Sequence, residues 1–258
     1  MRLMKRILSA AAVLALSASL LVGCSSSTAS SVPVSASSAT ESTVSSVEET
    51  ASSAVDENEA AAAQLLNDLT GSYQELWPVI LADEYKQTWL DVCTALVGED
   101  NAEAAFEKLS SMVTGDVYGE DAVEAYANGG GAYFCGFTNS LATLTFDGET
   151  STISGTDKDG NVLFSHTYHY IGMEPVRGLY EFQSDDADSG EFTYFFLAPD
   201  TSAETYHIEF RYGSDAEALS QYDAGEYAYW LASGISTDCD QTMIDNCIEL
   251  FCTENLAG

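Results

Sequence analysis

The sequence predicts a mainly β fold, a small antiparallel barrel or sandwich with helices flanking it at both ends of the domain. Between residues 133 and 212, segments rich in β-branched and aromatic residues recur about every ten residues. Turn-forming pairs such as Asp147-Gly148 and Asp159-Gly160 separate them. Helical periodicity marks the residues before Gly129-Gly130-Gly131 and those after residue 240. Short strands joined by tight turns are typical of antiparallel barrels and sandwiches.

The first 24 residues predict where the protein is located. A positively charged start is followed by a short apolar run, Ile7–Leu21, and then by Leu21-Val22-Gly23-Cys24. This pattern is typical of a lipoprotein signal peptide, residues 1–23, with Cys24 as the lipidated residue after cleavage. An ordinary secretory signal with an incidental cysteine is the alternative. We expect a bacterial lipoprotein that is extracytoplasmic and lipid-anchored to the cell membrane.

Residues 24–56 predict a flexible tether, because Ser, Thr, Ala and Val dominate and almost no large side chain is present. The remaining residues, 57–258, have the composition of one globular domain. We expect a helical segment at 57–127, the barrel at 132–212 and a C-terminal helical segment at 214–258.

Apolar spacing and end signals place the individual elements. The predicted helices are 56–71, 83–97 with Gly98 as a stop, 100–112, 118–127 and a C-terminal helix with an apolar stripe from Met243 to Phe251. The predicted strands are 133–135, 142–146, 151–154, 162–170, 176–182, 192–197 and 205–212.

Charge excludes some classes of function. The chain has 8 basic and 41 acidic residues, and three of the basic residues lie in the signal peptide, so the mature chain carries a formal charge of about −36. Such a surface repels nucleic acid and anionic lipid, and we expect neither as a partner apart from the N-terminal lipid. Common enzyme motifs are missing as well, so we expect no catalytic activity.

Five cysteines follow the anchor: Cys93, Cys135, Cys239, Cys247 and Cys252. In an oxidising compartment one or two disulfides would leave at least one free thiol, and the sequence does not determine the pairing.

The acidic loops at 157–161 and 185–191 could be interpreted as calcium sites. They lack EF-hand spacing, however, and their residues favour hairpin turns. His166 and His169 are three apart on one strand, so they point to opposite faces and are interpreted as structural.

His207 and Glu209 are the best candidates for a metal site. From Tyr206 to Tyr212 the residues alternate strictly between an aromatic or aliphatic face and a polar face. Side chains at i and i+2 share a face, about 7 Å apart, so an imidazole and a carboxylate can converge on one zinc ion. The alternative is a half-buried strand whose polar face meets water.

Five segments resemble the ZinT/YodA family of exported zinc-binding proteins, whose domain is also the C-terminal module of some zinc-uptake lipoproteins. They occur in the family's order and extend the resemblance from about Leu69 to the C-terminus. These segments are Gly71–Ile80, His166–Gly172, Val176–Phe182, Asp185–Gly190 and Tyr194–Leu219.

The resemblance implies a lipocalin-like (calycin) barrel and a zinc site made of a histidine before an Ala-Pro loop and a His-x-His pair. In this chain His207 occupies the first position of the pair and Glu209 the second. The earlier histidine is absent, and Asp200 is its nearest substitute. A ligand set of Asp, His and Glu should hold zinc more weakly than three histidines do, and it should accept manganese or calcium more readily.

Two functions follow as hypotheses. The first is an extracytoplasmic metal-binding lipoprotein that captures zinc or a related divalent cation and delivers it to an ABC importer. The second is a lipocalin-like surface module without a metal, which binds a small organic ligand or a protein partner. Convergence of the three candidate ligands at the barrel mouth favours the first, and exposure of His207 to bulk solvent favours the second.

Overall fold

The computed structural model describes residues 45–198 and 207–256. The chain divides into two units, 1–55 and 56–258, and the described part of the first unit is helical. The predicted signal peptide, residues 1–23, and the predicted lipidation site Cys24 lie outside the described residues. Helix α1, Ser45–Asp68, begins before the predicted helical start at Asp56 and so includes the last part of the predicted tether.

Eight antiparallel strands form a closed barrel in which each strand pairs with its neighbours in sequence and β1 pairs with β8. An eight-stranded up-and-down barrel is the lipocalin-like architecture, so the predicted fold class is confirmed. The strands are β1 Gly71–Glu75, β2 Thr143–Asp147, β3 Thr152–Thr156, β4 Val162–Met173, β5 Tyr180–Ser184, β6 Tyr194–Leu197, β7 His207–Gly213 and β8 Ala232–Ser236.

Helices occur before β1, between β1 and β2, between β7 and β8, and after β8. Besides α1 they are α2 Leu76–Ile80, α3 Lys86–Val97, α4 Glu99–Val113, α5 Glu120–Ala127, α6 Ala216–Leu219 and α7 Gln241–Leu256. Gly98 ends α3 as predicted, because its φ of 86° is open to glycine and the chain turns there directly into α4. Among the helices of the described residues, none is both long enough and apolar enough to cross a bilayer.

The barrel is not confined to residues 132–212, as the sequence had predicted. It is closed by β1 and β8, which lie in the two segments predicted as helical, 57–127 and 214–258. Both strands are only five residues long and contain glycine and serine. Such residues carry little β propensity, so the pairing with neighbouring strands determines these two elements.

Two other predicted strands differ from the observed structure. Residues 133–135 are not a barrel strand, since Phe134 makes only isolated bridges to Thr114 and Trp230. Strand β5 begins at Tyr180 rather than at residue 176. The Glu174 carboxylate accepts hydrogen bonds from the backbone N–H groups of Val176 (2.8 Å) and Arg177 (2.6 Å), which hold these residues in a turn.

Two hydrophobic cores share the barrel wall. Aromatic side chains fill the barrel core, among them Phe146, Phe164, Tyr168, Phe182, Phe195, Phe210 and Tyr212. The second core lies between the helices and the wall and includes Trp77 of α2, Trp89 and Cys93 of α3, Leu109 of α4, Ile235 of β8 and Ile248 of α7. The helical layer thus covers the wall near β8, which is where the candidate residues of β7 lie.

Candidate functional site

Strand β7 places His207 and Glu209 on one face, as the alternation predicts. Ile208 and Phe210 between and after them belong to the barrel core, so the two polar side chains point outward. In the ladder with β8, His207 lies opposite Ile235 and Glu209 lies opposite Ser233. Ile235 belongs to the helix-covered core. The polar face of β7 is therefore directed toward the helical layer and is half-buried.

A small cavity of about 30 Å³ lies beside His207 and Glu209. Its wall combines an imidazole, two carboxylates and a thiol with apolar side chains from α2 and α7. The lining residues are Leu76, Trp77, Ile80, His207, Glu209, Cys247, Leu250, Phe251 and Glu254. A volume above about 15 Å³ is enough for one water-sized particle, so one water or one ion fits here. His207 is half-buried at the edge of this cavity.

The structure positions two of the three predicted ligands. Asp200 lies outside the described residues, so His207 and Glu209 are the ones whose places can be compared. Within residues 45–198 and 207–256, no group of three His, Cys, Asp or Glu side chains could hold a metal ion. In the described conformation the β7 pair therefore supplies an incomplete ligand set.

Three residues near His207 and Glu209 were not predicted from the sequence as neighbours of the site: Cys135, Cys247 and Glu254. Burial, together with the negative charge of Glu209, raises the pKa of Cys135 to about 12, so the Cys135 and Glu209 side chains lie near each other. Cys247 and Glu254 come from α7. Cys247 belongs to the predicted apolar stripe of that helix, and Glu254 follows it at i+7, so helical spacing could have indicated that both face the same neighbour.

A larger groove of about 330 Å³ also borders Trp77. It is lined by Glu75, Trp77, Pro78, Leu81, Val113, Thr114, Gly115, Phe134, Cys135 and Gly136. The indole N–H of Trp77 is buried without a full hydrogen bond, although it lies close enough to the Cys135 thiol to oppose the rise of that thiol's pKa. Glu75 is occupied by the chain itself, because its Oε1 accepts the N–H of Phe137 at 2.6 Å.

The other two histidines bind the acidic turn between β5 and β6. His166 Nδ1 lies 3.0 Å from Asp186 Oδ2, and His169 Nδ1 lies 2.6 Å from Asp185 Oδ1. The histidines point to opposite faces of β4, yet consecutive aspartates of one turn reach both of them. These contacts fit the structural role predicted for the two histidines.

The acidic loop at 157–161 is the hairpin turn between β3 and β4. Asp157 Oδ1 accepts the backbone N–H groups of Asp159 and Asn161, both at 2.9 Å. Its Oδ2 accepts the side-chain amide of Asn161 at 2.9 Å. These bonds lower the pKa of Asp157, the largest contribution coming from the Asn161 side chain. Such local bonding is typical of aspartate-initiated turns.

The chain matches no protein-family model and no curated protein sequence. Among solved structures it is similar to the Zn(II)-bound ZinT-like domain of Streptococcus pneumoniae AdcA, with a TM-score of 0.45 and 15% identity over 71% of this chain and 89% of that domain. It is also similar to Zn(II)-bound AdcA from the same organism, with a TM-score of 0.42 and 14% identity over 72% of this chain and 35% of that protein. The first of these two structures is described as a ZinT-like domain, the family that the sequence motifs resemble.

Proposed function

We propose that this protein is an extracytoplasmic metal-binding lipoprotein that captures zinc or a related divalent cation and delivers it to an ABC importer. The observation that carries the proposal is the placement of His207 and Glu209 side by side on the outward face of β7, next to a cavity large enough for one ion. Imidazole nitrogen and carboxylate oxygen are both ordinary zinc ligands.

Asp200 is proposed as the third ligand. In the sequence it lies between the end of β6 at Leu197 and the start of β7 at His207, so the segment that carries it connects the two strands beside the site.

Lipidation at Cys24 is proposed from the lipobox alone. Replacing Cys24 with Ser should leave the protein unprocessed or release it from the membrane fraction, and correct processing with retention at the membrane would contradict this assignment.

Zinc titration by calorimetry tests the metal site, using the full chain with Cys24→Ser. His207→Ala should abolish the binding, and acidification should weaken it because a protonated imidazole cannot ligate. Glu209→His should tighten zinc binding by about tenfold or more, because an imidazole then replaces a harder carboxylate oxygen.

A matched control separates the site from added surface histidine. Glu249→His makes the same substitution at an exposed position of α7 and should leave zinc affinity unchanged. If Glu209→His folds normally and binds zinc no better than the parent, or if both variants gain equally, the proposed ligand set is wrong.

The groove beside Trp77 supports a second candidate function, the binding of a small organic ligand. Its volume of about 330 Å³ is within the range of small-molecule sites, and the indole N–H of Trp77 offers a buried donor to a ligand acceptor. The closely packed aromatic side chains of the barrel core argue against a ligand inside the barrel. Fluorescence of Trp77 in the presence of apolar probes, compared with Trp77→Phe, tests this function.

A further inference from the structure

Two cysteines of the helical layer lie close together although they are far apart in sequence. Cys93 of α3 and Cys252 of α7 are separated by 159 positions, and their Sγ atoms are 4.0 Å apart. Both side chains are completely buried. The two helices pack against each other in the helix-covered core, so the pair occupies a direct contact between two elements from opposite ends of the domain.

We propose that Cys93 and Cys252 form a disulfide that joins α3 to α7. A disulfide needs a sulfur–sulfur distance of about 2.05 Å, so the two sulfurs must approach by about 2 Å. Rotations about χ1 and a small shift of one helix provide movements of that size. The proposal does not depend on the metal site or on the cavity beside β7.

The reaction is thiol–disulfide exchange with a small-molecule disulfide or a thiol–disulfide oxidoreductase. One cysteine thiolate attacks the reagent disulfide and forms a mixed disulfide, with release of one reagent thiol. The second cysteine then attacks the protein sulfur of the mixed disulfide and releases the other reagent thiol. The two cysteines together lose two protons and two electrons, and the reagent disulfide gains them as two thiols.

Burial determines when the bond can form. It raises the pKa of Cys93, and it raises the pKa of Cys252 as well, where the neighbouring Cys93 adds to the effect. The reactive thiolate is therefore scarce in the folded protein, and the reagent has no access to a buried pair. We expect oxidation during folding, when α7 is still detached, and slow oxidation of the reduced protein once it has folded.

The bond would stabilise the domain strongly, because it closes a very long loop in the unfolded chain. Restricting such a loop removes more entropy from the unfolded state than restricting a short one. For a domain of this size the expected rise in melting temperature is about 10 °C between the reduced and the oxidised protein.

Refolding in a mixture of oxidised and reduced glutathione tests the proposal, with the full chain carrying Cys24→Ser. After denaturation and alkylation, the oxidised protein should show three thiols in place of the five free cysteines. Peptide mapping should recover a linked pair of peptides containing Cys93 and Cys252. In the same mixture, the disulfide should form much more slowly in reduced protein that has already folded.

Two variants complete the design. On oxidation, the Cys239→Ser variant should still lose two thiols and show the same rise in melting temperature as the parent. The Cys93→Ser variant should lose no thiols and show no rise in melting temperature. Peptide mapping of the parent decides the question even if Cys93→Ser fails to fold. Retention of all five thiols after refolding, or a linked pair that joins Cys239 to Cys247 with none that joins Cys93 to Cys252, would overturn the proposal.

Discussion

Arg211 shows how one buried residue organises a loop. Its side chain is completely buried and donates hydrogen bonds to the backbone carbonyls of Leu219, Gln221 and Tyr227. Its guanidinium also lies 4.4 Å from the ring centroid of Tyr222. Burial lowers the pKa of Arg211 to about 10, which leaves it charged at neutral pH. The segment that connects β7 to β8 is thus held by one cation.

Arg211→Met should destabilise the protein by about 3 kcal/mol, because it leaves several buried carbonyl groups without a donor. Urea unfolding at neutral pH measures the change. Arg177→Met is the matched control: Arg177 is half-buried and stacks on the same Tyr222 ring at 4.1 Å. Among the described residues, the hydrogen bond of its guanidinium is to the Tyr133 hydroxyl, at 3.3 Å. The control should lose about 1 kcal/mol or less, and equal losses would show that stacking rather than carbonyl bonding matters.

At the scale of elements, the end of α1 approaches the β2–β3 turn very closely. A Cβ atom added to Gly148 would lie 2.4 Å from the Cα of Asn67, and the N–H of Gly148 already donates to Thr70 Oγ1 at 3.0 Å. Gly148→Ala should therefore push the helix from the hairpin and cost about 2 kcal/mol in the free energy of unfolding.

Gly172→Ala in β4 is the control for this contact, since its Cβ would meet nothing closer than 3.9 Å. Its φ is not in the left-handed region, so the substitution adds no strain of that kind. Thermal unfolding of both variants compares them directly. If Gly148→Ala is as stable as Gly172→Ala, the close packing of α1 on the hairpin does not contribute to stability.

At the scale of the whole molecule, like charges dominate. The sequence has 41 acidic residues against 8 basic ones, so most carboxylates cannot pair with a basic side chain. Lys86–Glu103, at 3.0 Å, is one ion pair of the described residues. That pair is largely exposed and contributes little. Repulsion among the carboxylates should therefore destabilise the folded state at low salt.

Raising NaCl from about 10 to about 100 mM shortens the screening length from about 30 to about 10 Å, and it should raise the melting temperature by several degrees. Choline chloride at the same ionic strength should act equally, because screening does not depend on the cation. A melting temperature that does not change with salt would contradict the role of repulsion, and a rise with sodium alone would indicate a bound ion instead.

The sequence by itself determined the elements whose signals are local. Turn pairs such as Asp159-Gly160 and the alternation along β7 predicted antiparallel strands, and Gly98 correctly ended a helix. The fold class was predictable for the same reason: regularly spaced strands with tight turns pair with their sequence neighbours. The same alternation correctly placed His207 and Glu209 on one face.

Only the tertiary structure decided how the barrel closes and what covers the candidate site. Strands β1 and β8 have weak sequence signals, and they become strands because each completes the hydrogen bonds of its neighbours in the ring. Alternation tells which side chains share a face, but not what packs against that face. That is why the sequence predicted the pair on β7 and missed Cys135, Cys247 and Glu254, which reach it from elsewhere in the chain.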